Sequence, residues 1–484
     1  MVSGLVIIET LPERSVRDEF ITYVDPYVSE AFEKALGLER FTLFQNYSRS
    51  FYSREAHNRS ILNYNKEVRS PPDDPVWHKI VSESYDEFLT YGSVTSLSAL
   101  TDFKLVKYHS GTSAGFGYVD SSQQHPTQKG PPDGNNYKRA IRIASKIVHV
   151  ISEELKSGNY HDFLKSVPDN STPDVAFTRT QLAELPFTKV RNVFGEAFHY
   201  VILEGLFARP LIERFMRNDT FYYIGADPVI DVPHLITRML DKASIFYTFD
   251  WSTFDASVQV YEIELAFDLL KRMLRFPDKE TEALFEYVKT LFISRKLLGP
   301  DGTVYLRTGG IPSGSYFTHI VGSIINWVRI RYLMARHGID IVDIKTHGDD
   351  GLVTSTTFVP TLQHLSETAE EYAWYLKAEK SRATTDFTRI EFLGHTRDMV
   401  LITVYAIVSY AFLFFQSFLL MTLRYQLRVS SQFTMTLVFI VRNLFARSAT
   451  LLSSTATSRL ISHDSSVDLT LRITQHRKEF DFPR

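Results

Sequence analysis

The 484-residue chain contains no cysteine. That excludes disulfides and thiolate metal sites, and it suits a reducing compartment. Charge of either sign is not in excess: 53 Lys and Arg against 56 Asp and Glu give a net −3. A polyanion would therefore have to be held by a local basic channel, not by the charge of the whole molecule. The N-terminus, MVSGLVIIETLPERS, lacks a basic segment and a long apolar run, so no secretory signal is expected there. No internal repeat is present. The last fifth of the chain lacks more. His395 to Phe482 contain neither Gly nor Pro, where roughly ten would be usual. Met399 to His463 hold no acidic residue and no Lys, and 399–423 (MVLITVYAIVSYAFLFFQSFLLMTL) hold no charge at all. By length and composition 399–423 is a transmembrane candidate. The alternatives are a buried helical lobe or a stretch translated out of its ancestral frame. The abrupt change of composition at about 398 favours the last.

The rest of the chain is ordinary in bulk, with 44% hydrophobic and 23% charged residues, enough for a large core in two or three lobes. Aromatic residues reach 13%. They suit an aromatic core, and some rings could stack on bases. Against this background KTHGDDGLV (345–353) stands out. It lies between two stretches that favour strands, so it reads as a hairpin. Asp and Gly are common turn residues, which is the bland reading. Two adjacent carboxylates, Asp349 and Asp350, also repel each other unless a cation compensates them.

Upstream, ASIFYTFDWSTFDASV (243–258) begins as a buried strand that ends in Asp250, with Asp255 five residues on near a helix start. A carboxylate at the end of a buried strand needs a partner. If that strand lies beside the 349/350 hairpin, Asp250 and Asp349 can share two Mg²⁺ ions about 4 Å apart, a site suited to in-line displacement at phosphorus. FTKVRNVFG (187–195) reads as a strand with Lys189 and Arg191 on one face. RTGGIPSGSYFTHIVGSIINWVRIRYLMAR (307–336) reads as a Gly-rich loop and a long helix that Ser313 could cap. Residues 362–376 have a clean helical period, 137–157 look helical, KLVKYHS (104–110) reads as a strand, and 120–136 as a long loop. Residues 1–100 look mostly helical, and the basic, Tyr-rich 47–69 segment reads as a solvated helical face before an RNA contact.

These motifs together resemble the viral RNA-dependent RNA polymerases. Asp-x4-Asp in FDWSTFDASV, then SGSYFT followed by Asn326, then GDD, is the order of motifs A, B and C. The wording is close to the polymerases of partitiviruses, small double-stranded RNA viruses. SGTSAGFGY with Lys129-Gly130 is similar to motif G, Arg179 with TKVRNVFG to motif F, KAEKS to motif D and EFLGH to motif E. The resemblance covers about 105–396. It implies an α+β right-hand polymerase: 1–240 as N-terminal region and fingers, 241–397 as a palm with an antiparallel sheet and a fingers insertion at about 259–310, and 398–484 as an atypical tail in place of a normal thumb.

The resemblance also implies roles. Asp250, Asp349 and Asp350 would be catalytic and hold Mg²⁺, with Mn²⁺ as a substitute. Lys380 would protonate pyrophosphate, with Lys377 as fallback. Asp255, Ser313, Gly314, Thr318, Asn326, Arg179, Lys189 and Arg191 would bind the nucleotide. Asp255 and Asn326 would sense the ribose 2′-hydroxyl, although Asn326 lies eight residues after Thr318, not the more common four. Thr112, Ser113, Gly115 and Lys129 would guide the template. The implied partners are RNA template and product, nucleoside triphosphates and a viral capsid protein, in the virion and host cytoplasm. A membrane partner is not favoured. Three rival readings stand beside this one. GTSAG (111–115) matches the hydrolase nucleophile elbow, but a helix should follow it. A reverse transcriptase would typically place a bulky residue where Asp255 stands. An inactive derivative could still bind RNA, attached to membrane through 399–423.

Overall fold

The computed structural model describes residues 4–13, 18–19, 30, 33–34, 37–42, 47–119, 127–179, 182–184 and 190–396. Lys189, the 120–126 part of the long loop, and the tail from 397, with its transmembrane candidate and its doubtful thumb, lie outside the described residues. Among those described, no helix is long and apolar enough to cross a membrane. The unit that concerns function comprises residues 1–22 and 49–401. Of a second unit, 23–48 and 402–484, the described residues include the short helix Leu38–Thr42.

The functional unit mixes helices with two main sheets. The first is four-stranded and antiparallel, in the order Asp343–His347, Asp350–Ser355, Ile245–Phe249, Arg382–Thr384. Its strand IFYTF is short, aromatic and β-branched, which suits a buried strand. Phe246 meets Val232, Leu235, Ile236, Leu352 and Phe392 in one apolar cluster. Tyr247, Phe249 and Val353 belong to the main core, together with the helix Thr318–Arg336. That helix is apolar almost all round (SIINWVRIRYLM), as a helix enclosed on every side must be.

The second sheet has five strands, in the order Leu5–Thr10, Thr303–Thr308, Ser294–Leu298, Asp174–Arg179, Arg191–Gly195. It draws strands from the N-terminus, the middle and the 259–310 segment, and pairs Asp174–Arg179 in parallel with Ser294–Leu298. Buried Arg295 binds Asp174 at 3.0 Å and Glu196 at 2.6 Å, which ties these strands to the loop that follows Arg191–Gly195.

Several local expectations are corrected. Residues 103–105 form a 3-10 turn and 106–109 no strand. Val106 is buried instead against Gly205, where a Cβ would stand 2.3 Å from its Cγ1, so no strand edge is offered for pairing. The first hundred residues contain a strand, Leu5–Thr10, besides their helices. The 362–376 period yields a helix only over Gln363–Glu371, because Ala373 turns left-handed at φ 58°. Ser313 does not cap the long helix. That helix begins at Thr318 after Phe317, whose side chain cannot cap.

Candidate active site

The hairpin Asp343–His347/Asp350–Ser355 closes with His347 opposite Asp350, so Gly348 and Asp349 are its two turn residues. Gly348 has φ 61°, the left-handed first position that a two-residue turn of this kind reserves for glycine. Gly351 pairs with Phe249. Asp250 therefore leaves the end of its strand directly beside the GDD turn, which meets the condition set by the sequence pattern. The turn is fastened to the long helix behind it. The Gly348 N–H donates to Ser323 Oγ at 2.8 Å, and Asn326 Nδ2 donates to the carbonyls of Gly348 (3.0 Å) and Asp350 (3.1 Å).

Asp250, Asp255, Asp349 and Asp350 lie near enough for their charges to influence one another in pairs. Burial, and then Asp349, Asp250 and Glu391, push Asp350 up to about 7. Burial and Asp349 push Asp255 up to about 7 as well, against the pull of the Ser313 hydroxyl and Arg191. Mutual repulsion of this kind is what a divalent cation relieves. Among the described residues no three carboxylate or imidazole side chains already converge on one point. The donor chemistry fits all the same, because Mg²⁺ takes one or two carboxylates and completes its shell with water and phosphate oxygens.

The cation already against Asp250 is Lys377. Its Nζ donates to Asp250 Oδ1 at 2.7 Å and to the Trp251 carbonyl at 3.3 Å. The backbone around it is strapped down: Lys377 N–H to the Asp250 carbonyl (2.9 Å), and Ser252 N–H to the Tyr375 carbonyl (2.7 Å). Lys380 stands exposed one turn further on, its backbone N–H bonded to the Lys377 carbonyl. Lys377, the fallback of the sequence reading, is thus the lysine in contact with an acidic residue of the site. Its ammonium competes with any metal for Asp250. Lys377→Met is expected to tighten Mn²⁺ binding by nucleotide-free protein about two- to fivefold, the scale of a half-exposed ion pair. Electron paramagnetic resonance titration measures this, and unchanged affinity would take Asp250 out of the cation site.

Asp255 lies at the start of the one-turn helix Phe254–Ser257. Its backbone carbonyl accepts from Ile311 N–H at 2.8 Å, and Ser313 Oγ donates to Asp255 Oδ2 at 3.4 Å. The SGSYFT loop therefore rests on Asp255. Thr318 Oγ1 closes the loop by donating to the Pro312 carbonyl at 2.6 Å. Gly314 is required by close approach, since a Cβ there would stand 2.0 Å from the Phe194 carbonyl oxygen. Tyr64, which the sequence did not single out, joins this group. Its hydroxyl donates to the Ile311 carbonyl at 3.1 Å, and Asp255 and Ser313 both act on its ionisation. No local pattern in ILNYNKEV marks that contact, which spans the chain from residue 64 to residue 311.

Asn326 lies on the helix Thr318–Arg336, directly behind the GDD turn. It is fully buried beneath the hairpin, and its side chain is committed to Gly348, Asp350 and the Trp251 indole N–H (2.9 Å). With both its amide and its oxygen engaged, it fastens the GDD turn. Four residues after Thr318, the more common position of such an Asn, stands Gly322, where a Cβ would make only ordinary contacts with Ile311, Gly348 and Phe254.

Arg179 and Arg191 are directly opposite each other on paired strands, and both are exposed. Like charges in register repel, and an anion between them would relieve that repulsion. Near GTSAG, Lys129 Nζ donates to Thr112 Oγ1 at 2.7 Å and lies over the Phe198 ring. Ser113 Oγ accepts from Gly115 N–H, and Gly115, at φ 80°, lies so close to the Glu196 backbone that a Cβ would stand 2.5 Å from its carbonyl oxygen. No helix follows GTSAG and no strand precedes it, so the hydrolase elbow is absent.

The family model for viral RNA-dependent RNA polymerase matches residues 38–400, that is 363 of the 484 residues. Genome polyproteins of hepatitis A viruses are also similar. Human genotype IIIB (isolate HAJ85-1) is 31% identical over 196 residues, 37% of this chain and 9% of the polyprotein. Human genotype IIIA (isolate NOR-21) is 32% identical over 196 residues, and simian genotype V (isolate AGM-27) 31% over 197. The chain covers 9% of the length of these curated relatives. The family match, the motif order and the carboxylates gathered at one sheet end agree: this chain belongs to the viral RNA-dependent RNA polymerases, a nucleotidyltransferase family.

Proposed function

We propose that this chain builds RNA from nucleoside triphosphates on an RNA template. The 3′-oxygen of the growing strand bonds to the α-phosphorus, the bond from that phosphorus to pyrophosphate breaks, and the 3′-hydroxyl gives up its proton. The observation that carries the reading is the Phe249–Gly351 pairing, which sets Asp250 beside Asp349 and Asp350. Mg²⁺, with Mn²⁺ as a substitute, would be held by Asp250 and Asp349 with Asp350 in support; bound there in a pair, it supplies an activated 3′-hydroxyl and charge neutralisation for pyrophosphate. Arg179 and Arg191, with Lys189, receive the triphosphate, and Lys380 is assigned the proton given to pyrophosphate. Thr112, Ser113, Gly115 and Lys129 guide the template, and Gly314 and Thr318 shape the loop between template and nucleotide.

Asp255, steadied by Ser313, reads the ribose 2′-hydroxyl, because a carboxylate is a strong acceptor. Asp255→Ala is expected to lower the preference for UTP over dUTP at least about tenfold, the scale of a lost hydrogen bond to a charged group. The comparison of kcat/KM for the two nucleotides measures it, and an unchanged ratio would assign ribose recognition elsewhere.

The motif wording supports a partitivirus-like setting: copying of single-stranded into double-stranded RNA, and its transcription, within a particle in the host cytoplasm and against capsid protein. The likeness to hepatitis A virus polyproteins supports viral RNA replication without favouring that setting. One observation favours a second reading. The compositional break at about 398 fits an inactive derivative that retains RNA binding and is attached to membrane through 399–423. RNA binding with no incorporation by folded full-length protein would select it.

A further inference from the structure

Beneath the SGSYFT loop lies a buried acidic group that the reaction does not use. Glu204, in the helix Phe198–Met216, is 2% exposed. Its Oε2 accepts two hydrogen bonds from the loop, from Ser315 Oγ at 2.6 Å and from the Tyr316 backbone N–H at 2.8 Å. Ser315 Oγ in turn accepts from the Phe317 N–H at 3.0 Å. One carboxylate oxygen therefore organises three consecutive residues between Gly314 and Thr318. On its other side the loop is wedged by Gly314 against the Phe194 carbonyl. The Tyr316 ring packs over Gly205, beside Glu204, and its hydroxyl reaches the Lys107 carbonyl.

A buried carboxylate needs compensation. It is supplied at one remove. Glu196 Oε1 accepts from Arg295 NH1 at 2.6 Å, while Glu196 Oε2 is buried without a donor of its own. Burial and the adjacent Glu204 raise the proton affinity of Glu196 well above that of an ordinary carboxyl. Arg295 binds both Glu196 and Asp174, so a buried guanidinium stands among these acidic groups. The backbone at Glu196 also abuts Gly115 of the template loop, and Phe198 N–H donates to the Ala114 carbonyl at 2.9 Å.

From this geometry we infer that Glu204 is a positioning residue. It latches the 315–317 backbone so that the loop meets template and nucleotide at a fixed place, in register with the template loop that leans on Glu196. The inference rests on the proposed reading of this loop. The test uses full-length protein with Glu204→Gln, Glu204→Leu and Ser315→Ala, and two readouts.

Amide hydrogen exchange of 312–318, read by mass spectrometry, needs no catalysis. Glu204→Leu should speed it about 10- to 100-fold, the scale of a lost hydrogen bond to a charged group, without altering exchange in the later turns of Thr318–Arg336. Ser315→Ala should give a smaller acceleration in the same segment. Glu204→Gln should restore wild-type exchange, because its carbonyl accepts the same two bonds and its amide can donate to Glu196. The second readout is kinetic: the leucine variant should raise KM for UTP more than it lowers kcat, and the glutamine variant should recover both. Unchanged exchange in Glu204→Leu, or a glutamine variant as impaired as leucine, overturns the inference. If the leucine variant does not fold, unchanged exchange in Ser315→Ala overturns it. A wild-type chain that incorporates no nucleotide would defeat the functional reading and leave the exchange result to judge the latch.

Discussion

Asp349→Ala is expected to abolish template-directed incorporation, by at least about 10³-fold, because on the proposed reading it removes a metal ligand and several kcal/mol of charge stabilisation from the transition state. The fold should not suffer. Asp349 is an exposed turn residue, and its charge raises both Asp350 and Asp255. Its removal relieves repulsion, so thermal stability should be equal or higher. That combination separates a functional carboxylate from a structural one, since residues placed for chemistry tend to cost stability. A variant that retains incorporation, or that loses it only by unfolding, would return Asp349 to the status of an ordinary turn residue.

The largest stability effect is expected at Arg329. Its guanidinium is fully buried and grips Glu262 with two bonds, Nε to Oε1 at 2.7 Å and NH2 to Oε2 at 2.6 Å. The rings of Trp251, Phe254 and Trp374 lie 5.0–5.6 Å from it. Trp251 and Phe254 flank Asp250 and Asp255, so this ion pair supports the floor of the site. Glu262 also completes the N-terminal cap of the helix Val260–Arg272 by accepting from the Gln259 N–H. Arg329→Met leaves the Glu262 charge buried and unpaired, and is expected to cost about 3–5 kcal/mol. Denaturant unfolding measures this. Replacing Glu262 by Leu in the same chain should recover part of the loss, because a buried pair replaced on both sides by apolar groups is often neutral. A single variant within about 0.5 kcal/mol of wild type would show that the pair is solvated.

What was legible in the sequence was what local pattern encodes. GDD between two strand-forming runs gave the hairpin, and Gly348 meets the positive φ that its turn requires. An aromatic run stopped by Asp250 gave the second acidic strand end, and the apolar 318–336 stretch gave the helix beneath both. What was not legible depends on partners far away in the chain. Leu5–Thr10 is a strand because Thr303–Thr308 offers it an edge, and KLVKYHS is not because Val106 is drawn into the core. Strand preference is decided by such context. Spacing alone could not show that Lys377 is the lysine that contacts Asp250, since that contact depends on how 375–377 is strapped to 250–252. Nor could it show that Asn326 is spent on the GDD turn, or that Glu204 and Tyr64 serve a loop more than a hundred residues away.

The most direct measurement is incorporation of labelled UTP by the full chain on a poly(A) RNA template with Mg²⁺, beside reactions without template and with a DNA template. A polymerase of this family should give template-length RNA that depends on the RNA template and on the divalent ion. Folded full-length protein that gives no product, or product that forms equally without template, would show that this chain does not copy RNA.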